Sequence, residues 1–70
     1  MDAAQRFGRN LANARRQKGL TQQDLASQVY LDRCAISRME TGDRYPRLDR
    51  VLEFADALGV QVRDLLHGIG

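Results

Sequence analysis

The sequence predicts an all-α fold, a compact five-helix orthogonal bundle. Apolar residues recur at steps of three and four, which is the spacing of one face of a helix. Short turns, marked by glycine or by residues that cap helices, divide this pattern into five segments. Residues branched at Cβ are few and never alternate with others over a useful length, so the sequence predicts no strand. Seventy residues are the size of one domain, and we expect residues 1–70 to form a single unit.

The first segment covers roughly residues 2–18. Phe7, Leu11 and Ala14 are spaced by four and three residues and form one apolar stripe. Gly19 follows the last turn, at the position where glycine commonly ends a helix because it adopts a left-handed conformation without strain. We therefore expect a long first helix that packs through this stripe.

The second and third segments are short and begin with strong capping residues. Thr21 and Asp24 have the spacing of a capping box, and Asp32 is a favourable N-cap for the third segment. That segment runs to Thr41 and stops at Gly42. The expected buried positions are Leu25, Ala26, Val29, Ala35, Ile36 and Met39.

The fourth and fifth segments complete the bundle. The fourth runs from about Arg47 to Leu58 and stops at Gly59, and the fifth is short, from about Val62 to His67. The expected inward face of the fourth segment consists of Leu48, Val51, Leu52, Ala55 and Leu58.

Composition excludes several classes of site. Cys34 is the only cysteine and His67 the only histidine, so the chain forms no internal disulfide and no Cys or His metal cluster. We expect no cofactor and no enzymatic activity, because nucleophile–base pairs and glycine-rich phosphate loops are absent from the sequence. No apolar run reaches the roughly 20 residues of a membrane span, and the N-terminus is unlike a signal peptide, so we expect a cytoplasmic protein without a membrane partner.

Positive charge is concentrated in the first part of the chain. Residues 1–50 hold ten of the eleven Lys and Arg and six of the nine acids, a net of +4, whereas residues 51–70 carry a net of −2. Ten of the eleven cations are arginine. The planar guanidinium binds phosphates and guanine edges through two parallel hydrogen bonds.

The joint between the second and third segments indicates a helix-turn-helix. About three residues, Tyr30 to Asp32, connect the two predicted helices and set them at a steep angle. Arg33, Cys34, Ser37 and Arg38 share the solvent face of the third helix. A helix fits the major groove of DNA, where Arg33 and Arg38 would bridge guanine O6 and N7. The alternative is a solvated arginine face.

From Phe7 to Leu66 the chain resembles the Cro and phage-repressor (Xre) helix-turn-helix family. The resemblance rests on RRQKGLTQQDLA (residues 15–26), ISRMETG (36–42), Pro46, LGV (58–60) and LL (65–66). It implies a DNA-binding regulator whose recognition helix covers about residues 32–41. In layout the chain is also similar to the controller proteins of restriction–modification systems.

The resemblance implies a role for each matching position. The base-reading group consists of Gln22, Arg33, Cys34 and Arg38, and Ser37 joins it from the shared face. Gln22 matches a position that contacts a phosphate or the first base. The group expected to contact the DNA backbone consists of Thr21, Gln23, Thr41, Arg44 and Arg47. Arg15 and Glu40 match a structural ion pair that ties the first helix to the end of the third.

Four positions depart from the family pattern. Tyr30 stands where the family usually has glycine, so we expect either a different turn or a tyrosine that points outward. Cys34 replaces a polar reader, either as a small neutral contact or as a redox-sensitive thiol. Arg47 and Gln61 replace capping Ser or Thr, which predicts frayed N-termini for the last two helices.

Surplus apolar residues near the C-terminus predict a homodimer on paired half-sites of double-stranded DNA. The expected interface consists of Phe54, Leu58, Val60, Val62, Leu66 and Ile69. The alternative is a protein-interaction module, such as the antitoxin of a toxin–antitoxin pair. A toxin or RNA polymerase therefore stays open as a partner.

Overall fold

The computed structural model describes residues 1–69 of the chain, and within this range it contains five α-helices and no strand. The helices are α1 (Ala3–Gln17), α2 (Gln22–Gln28), α3 (Arg33–Thr41), α4 (Leu48–Leu58) and α5 (Val62–Leu65). The predicted all-α, five-helix fold is confirmed. The expected boundaries differ by one or two residues at most ends, and α5 stops at Leu65 rather than at His67.

Capping residues define where the first three helices begin. The Asp2 carboxylate accepts from the Gln5 backbone N–H at 2.8 Å, and the Gln5 side chain accepts from the Asp2 N–H at 3.1 Å. Thr21 and Asp24 form the same reciprocal arrangement at the start of α2. Asp32 accepts from the Ala35 N–H at 2.8 Å. Each bond satisfies a backbone donor that has no partner within its own helix.

The last two helices begin without Ser or Thr, and their N-termini differ. The Arg47 side chain makes no capping hydrogen bond. The Gln61 N–H donates to the Asp64 carboxylate at 3.0 Å, which satisfies one free donor of α5 from inside the helix. Gln61 has no capping hydroxyl, as the sequence indicated. Asp64, three residues later in α5, accepts a hydrogen bond from the Gln61 backbone instead.

One apolar core joins all five helices. Phe7 and Phe54 lie in it with ring centroids 6.4 Å apart, and Leu11, Leu25 and Leu65 are fully buried around them. The short helix α5 is thus anchored by Leu65. Burial of an aliphatic or aromatic side chain contributes about 1.5–3 kcal/mol, which stabilises helices too short to persist alone.

Helix α1 crosses the end of α3 at Gly8. A Cβ atom at Gly8 would lie 2.3 Å from the Met39 carbonyl oxygen and 2.4 Å from that of Glu40. Only a residue without a side chain allows this approach of two backbones. Gly8 therefore sets how closely α3 packs on α1.

Helix α4 is rotated relative to the predicted apolar face. Phe54 is fully buried, whereas Leu48 and Leu52 expose 71% and 52% of their surface. The prediction that Leu48 and Leu52 face inward is wrong. Turning the large Phe54 ring to the centre of the core moves these two leucines, which lie on a neighbouring face of the helix, to its rim.

The same rotation corrects the predicted dimer interface. Phe54 and Leu58 are buried inside the monomer, at 0% and 3% exposure, so they cannot supply an external contact surface. Val60 and Val62 are half-buried against the same core. Within the predicted set, only Leu66 and Ile69 are exposed.

Residues 1–69 lack both a membrane-spanning helix and a cluster of metal-binding side chains. Among the helices described there, none is long and apolar enough to cross a membrane. The same residues contain no group of three or more His, Cys, Asp or Glu side chains placed to hold a metal ion.

Candidate DNA-binding surface

In the turn between α2 and α3, one residue has a left-handed backbone conformation although it is a tyrosine. Tyr30 has φ of +59°, the single positive φ among the non-glycine residues described. The Leu31 N–H closes the turn by donating to the Ala26 carbonyl at 2.9 Å. Tyr30 is 92% exposed. Of the two alternatives for this position, the structure has the outward-pointing side chain.

Helix α3 has one buried and one exposed face. Ala35, Ile36 and Met39 lie in the core. The other face carries the five predicted DNA-contacting positions of this helix, of which Ser37 is half-buried and the rest exposed: Arg33, Cys34, Ser37, Arg38 and Thr41. The structure therefore places these side chains together on one solvent face.

The two arginines of this face are available to a ligand. Within residues 1–69, neither the Arg33 nor the Arg38 guanidinium forms an ion pair or a hydrogen bond. Cys34 is an exposed free thiol between them in the first turn of the helix. Guanidinium groups without internal partners keep their planar donors free for guanine or phosphate.

Arg15 and Glu40 form an ion pair behind this surface. Arg15 Nε lies 2.7 Å from Glu40 Oε2, and Nη2 lies 3.1 Å from Oε1. The third bond, from Nη1 to the Leu20 carbonyl, is 2.8 Å long. The side chains are only 9% and 6% exposed. The hydrogen bond to Glu40 and its negative charge outweigh burial and raise the pKa of Arg15 above its ordinary value.

Gln22 is connected to this ion pair. Its Nε2 donates to Glu40 Oε1 at 3.0 Å, and the side chain is half-buried. This bond, which joins the first turn of α2 to the last turn of α3, was not predicted from the sequence. It holds the Gln22 amide in one orientation at the edge of the α3 surface.

The predicted backbone-contacting residues lie around α3 in three places. Thr21 and Gln23 are exposed at the start of α2, where the Gln23 amide donates to the Ser27 hydroxyl at 3.3 Å. The Thr41 hydroxyl donates to the Arg38 carbonyl at 3.1 Å. Arg44 and Arg47 are exposed in the following loop, with Arg47 Nη2 3.3 Å from Asp49 Oδ2.

Two further side chains that sequence reasoning missed make long-range hydrogen bonds to the backbone, and one of them reaches the α2–α3 turn. Arg50 of α4 donates to the Val29 carbonyl at 2.9 Å, at the start of the α2–α3 turn, and also to Glu53. Asn10 of α1 donates to the Leu65 and His67 carbonyls at 2.9 and 2.8 Å and so caps α5. These bonds to backbone carbonyls join residues 21, 55 and 57 apart in sequence, and no local pattern signals them.

Comparison with known protein families gives a match over nearly the whole chain. The sequence model described as "Helix-turn-helix domain" matches residues 6–67. The chain is 36% identical over 66 residues to an uncharacterized HTH-type transcriptional regulator, y4dJ, of Sinorhizobium fredii, covering 94% of this chain and 86% of that protein.

A second relative is much longer than the matched region. The HTH-type transcriptional activator BcrR of Enterococcus faecalis is 37% identical over 62 residues. The match covers 89% of this chain but 30% of BcrR. The similarity to BcrR is therefore confined to the helix-turn-helix region.

Solved structures share the fold. The restriction–modification controller protein C.AhdI of Aeromonas hydrophila superposes with a TM-score of 0.84 at 37% identity, covering 89% of this chain and 94% of that one. The clp gene regulator ClgR of Corynebacterium glutamicum gives 0.87 at 26% identity, covering 91% and 83%. The family match and these neighbours are helix-turn-helix proteins, and this chain has the corresponding features: a tight turn between α2 and α3 and an exposed face on α3. The chain belongs to the helix-turn-helix family of DNA-binding transcription regulators.

Proposed function

We propose that the protein is a sequence-specific regulator that places α3 in the major groove and binds paired half-sites as a homodimer. The observation that carries this proposal is the two-faced α3. Its apolar side packs on the core. Its other side exposes Arg33 and Arg38, whose guanidinium groups form no hydrogen bond or ion pair within residues 1–69. We propose that this regulator acts in the cytoplasm, where its DNA target lies.

Arg33 and Arg38 are the proposed base readers. Each has the planar pair of donors that bridges O6 and N7 of guanine, worth about 1–3 kcal/mol of discrimination against a wrong base. Cys34 and Ser37 lie between them, small enough to contact a thymine methyl group or a single hydrogen-bonding base edge. Gln22 contributes a phosphate contact or reads the first base from the edge of the surface.

The surrounding polar residues fix the register on the duplex. Thr21 and Gln23 are exposed at the start of α2, where their polar side chains contact a phosphate. Thr41 at the end of α3, and Arg44 and Arg47 in the following loop, contact the DNA backbone on that side. Arg47 also has an exposed bond to Asp49, which costs little to exchange for a phosphate.

Arg38→Ala tests the reading role. A duplex selected from a random pool by the wild-type protein serves as the specific probe, and an unselected duplex of equal length as the nonspecific probe. We expect Arg38→Ala to weaken specific binding about 10-fold to 100-fold and to relax selection at one base position. Lys18→Ala removes one charge away from α3 and is the matched control. An equal loss of affinity for both probes would show that Arg38 contacts a phosphate and does not read a base.

The proposed dimer contact is an apolar patch on α4, the loop before it and the C-terminal segment, revised from the predicted interface. It consists of Tyr45, Leu48, Leu52, Leu66 and Ile69, which expose between 36% and 71% of their surface. All except Leu52 line one groove, and Leu52 lies one helical turn after Leu48. Burying such a patch on a second copy removes apolar area from water on both.

A second copy is the occupant that DNA geometry favours. Two half-sites one turn apart, about 34 Å, require two recognition helices related by a two-fold axis. The described chain extends 29 Å in its longest direction and carries one recognition helix. The antitoxin alternative finds no support in the comparisons above.

Sedimentation of the wild-type protein and of Leu48→Asp tests the dimer. We expect wild type to sediment as a dimer and Leu48→Asp as a folded monomer with weaker binding to a two-half-site duplex. Tyr30→Ser, which changes an exposed apolar residue elsewhere, should stay dimeric. A wild-type monomer that binds one half-site per chain would contradict the proposal.

A further inference from the structure

The fold divides the arginines and the lysine outside α3 into distinct locations. Arg50 is bonded to the Val29 carbonyl and Glu53. Arg6 lies beside Gly68: a Cβ atom built at Gly68 would be 3.1 Å from Arg6 Nε. Lys18 lies beside Gly59, where a built Cβ atom would be 3.4 Å from Lys18 Nζ. Arg50 is thus occupied at the α2–α3 turn, and Arg6 and Lys18 lie beside glycines of the C-terminal part of the chain.

Arg9 and Arg16 are placed differently. They lie on the exposed side of α1 with Asn13 between them, at steps of four and three residues, and therefore share one face of the helix. Both guanidinium groups are without an ion pair or hydrogen bond inside the described part of the chain. Seven residues of helix separate the two Cα atoms by about 10 Å, enough for two different phosphates.

This α1 face and the end of the recognition helix line the same groove. Arg9, Asn13 and Arg16 form one side, and Glu40 and Thr41 of α3 lie on the other. The close approach at Gly8 fixes the two helices relative to each other. The groove therefore continues the proposed DNA-contacting surface from Thr41 onto α1.

The charge of Glu40 does not repel an anion from this groove. Its carboxylate is nearly buried and bonded to Arg15 and Gln22. Two carbonyls in the last turn of α3 are also occupied, since the Gly42 and Asp43 N–H groups donate to those of Met39 and Arg38. With these negative groups compensated, the guanidinium groups of Arg9 and Arg16 dominate the groove.

We infer that Arg9 and Arg16, oriented along one face of α1 with Asn13, form a second phosphate-binding surface that extends the contact with duplex DNA beyond the helix-turn-helix. This inference depends on the proposed binding of DNA through α3. The ligand is the phosphodiester chain that passes Thr41. Its contribution is independent of base sequence, because phosphates are identical at every step.

The experiment compares two double variants with the same change of charge. Arg9→Gln/Arg16→Gln removes the proposed contacts, and Arg6→Gln/Lys18→Gln removes two cations elsewhere on the chain. Fluorescence anisotropy with the selected and the unselected duplex, over a series of salt concentrations, gives the slope of log Kd against log salt. Thermal unfolding checks that both variants are folded, as expected for substitutions at partly or fully exposed helix or turn positions.

We expect Arg9→Gln/Arg16→Gln to lower the salt slope by about 1.8, since each phosphate contact contributes about 0.9. Affinity for both duplexes should fall by the same factor, and Arg6→Gln/Lys18→Gln should keep the wild-type slope. A slope equal to wild type, or an equal loss in both double variants, would overturn the inference. Failure of the wild-type protein to bind either duplex would instead overturn the proposed function.

Discussion

Arg15 and Glu40 join α1 to the end of α3 through two hydrogen bonds, of 2.7 and 3.1 Å, in a nearly buried site. Glu40 also holds Gln22. The pair thus positions three helices at once, and removing either partner leaves the other charge without compensation.

Glu40→Ala should destabilise the fold strongly. Breaking a buried ion pair by removing one partner costs about 3–5 kcal/mol, a large part of the stability of a small domain. Urea unfolding measures the loss, with Glu53→Ala as control. Glu53 pairs with Arg50 but is half exposed, so its removal should cost about 1 kcal/mol or less. Equal losses in the two variants would show that the site of Arg15 is well hydrated.

Gly8→Ala should displace α3 although alanine is the better helix former. The gain in helix propensity is about 1 kcal/mol. The new Cβ would lie 2.3 Å from a backbone oxygen that cannot rotate away, and such overpacking costs about 1–3 kcal/mol. We expect a lower thermal midpoint together with weaker DNA binding.

Gly19→Ala separates steric contact from backbone strain. Nothing lies within 4 Å of a Cβ at Gly19, but its φ is +78°. This variant should lose about 1 kcal/mol through strain alone, with DNA binding unchanged once the protein is folded. Unchanged binding in Gly8→Ala as well would refute the role of the α1–α3 approach.

Tyr30→Gly should leave the fold as stable as wild type or stabilise it slightly. Tyr30 has positive φ and is 92% exposed, so the substitution removes almost no packing. Relief of left-handed strain gains about 1–2 kcal/mol, and the entropy of glycine offsets about 0.5–1 kcal/mol of it. Tyr30→Val, with a branched Cβ, should lower the thermal midpoint. Equal midpoints for the Gly and Val variants would mean that the turn relaxes freely.

Asp24 should contribute to the acid sensitivity of folding. The Thr21 backbone N–H, 2.9 Å from Asp24 Oδ2, and then the Thr21 hydroxyl lower the pKa of this carboxyl below its ordinary value. A folded pKa below the unfolded one stabilises the fold above about pH 4, and this stability is lost as pH falls through the folded pKa.

Urea midpoints at about pH 7 and about pH 3 test this sign. Wild type should lose more stability than Asp24→Asn across the interval, because the variant has no carboxyl to protonate at the cap. Asp56→Asn serves as control, since no hydrogen bond to its carboxylate occurs in residues 1–69. An identical loss of stability in wild type and Asp24→Asn would show that protonation of Asp24 does not contribute to acid destabilisation.

Much of the fold was predictable because its determinants are local. The caps at Thr21 and Asp32 and the glycines at 19, 42 and 59 act within one helical turn, so the sequence placed four helices to within one or two residues. The face of α3 followed from spacing alone. The family pattern added the pairing of Arg15 with Glu40, which spacing could not have supplied.

The sequence by itself determined the five helices, the helix-turn-helix and the outward positions of α3, since helical periodicity and capping depend on neighbouring residues. Only the tertiary structure decided the rotation of α4, which buries Phe54 and exposes Leu48. It also placed Arg9 and Arg16 beside Thr41 and bonded Arg50 to Val29. These relationships depend on how one helix packs on another, because residues far apart in sequence compete for the same core space and the same backbone partners.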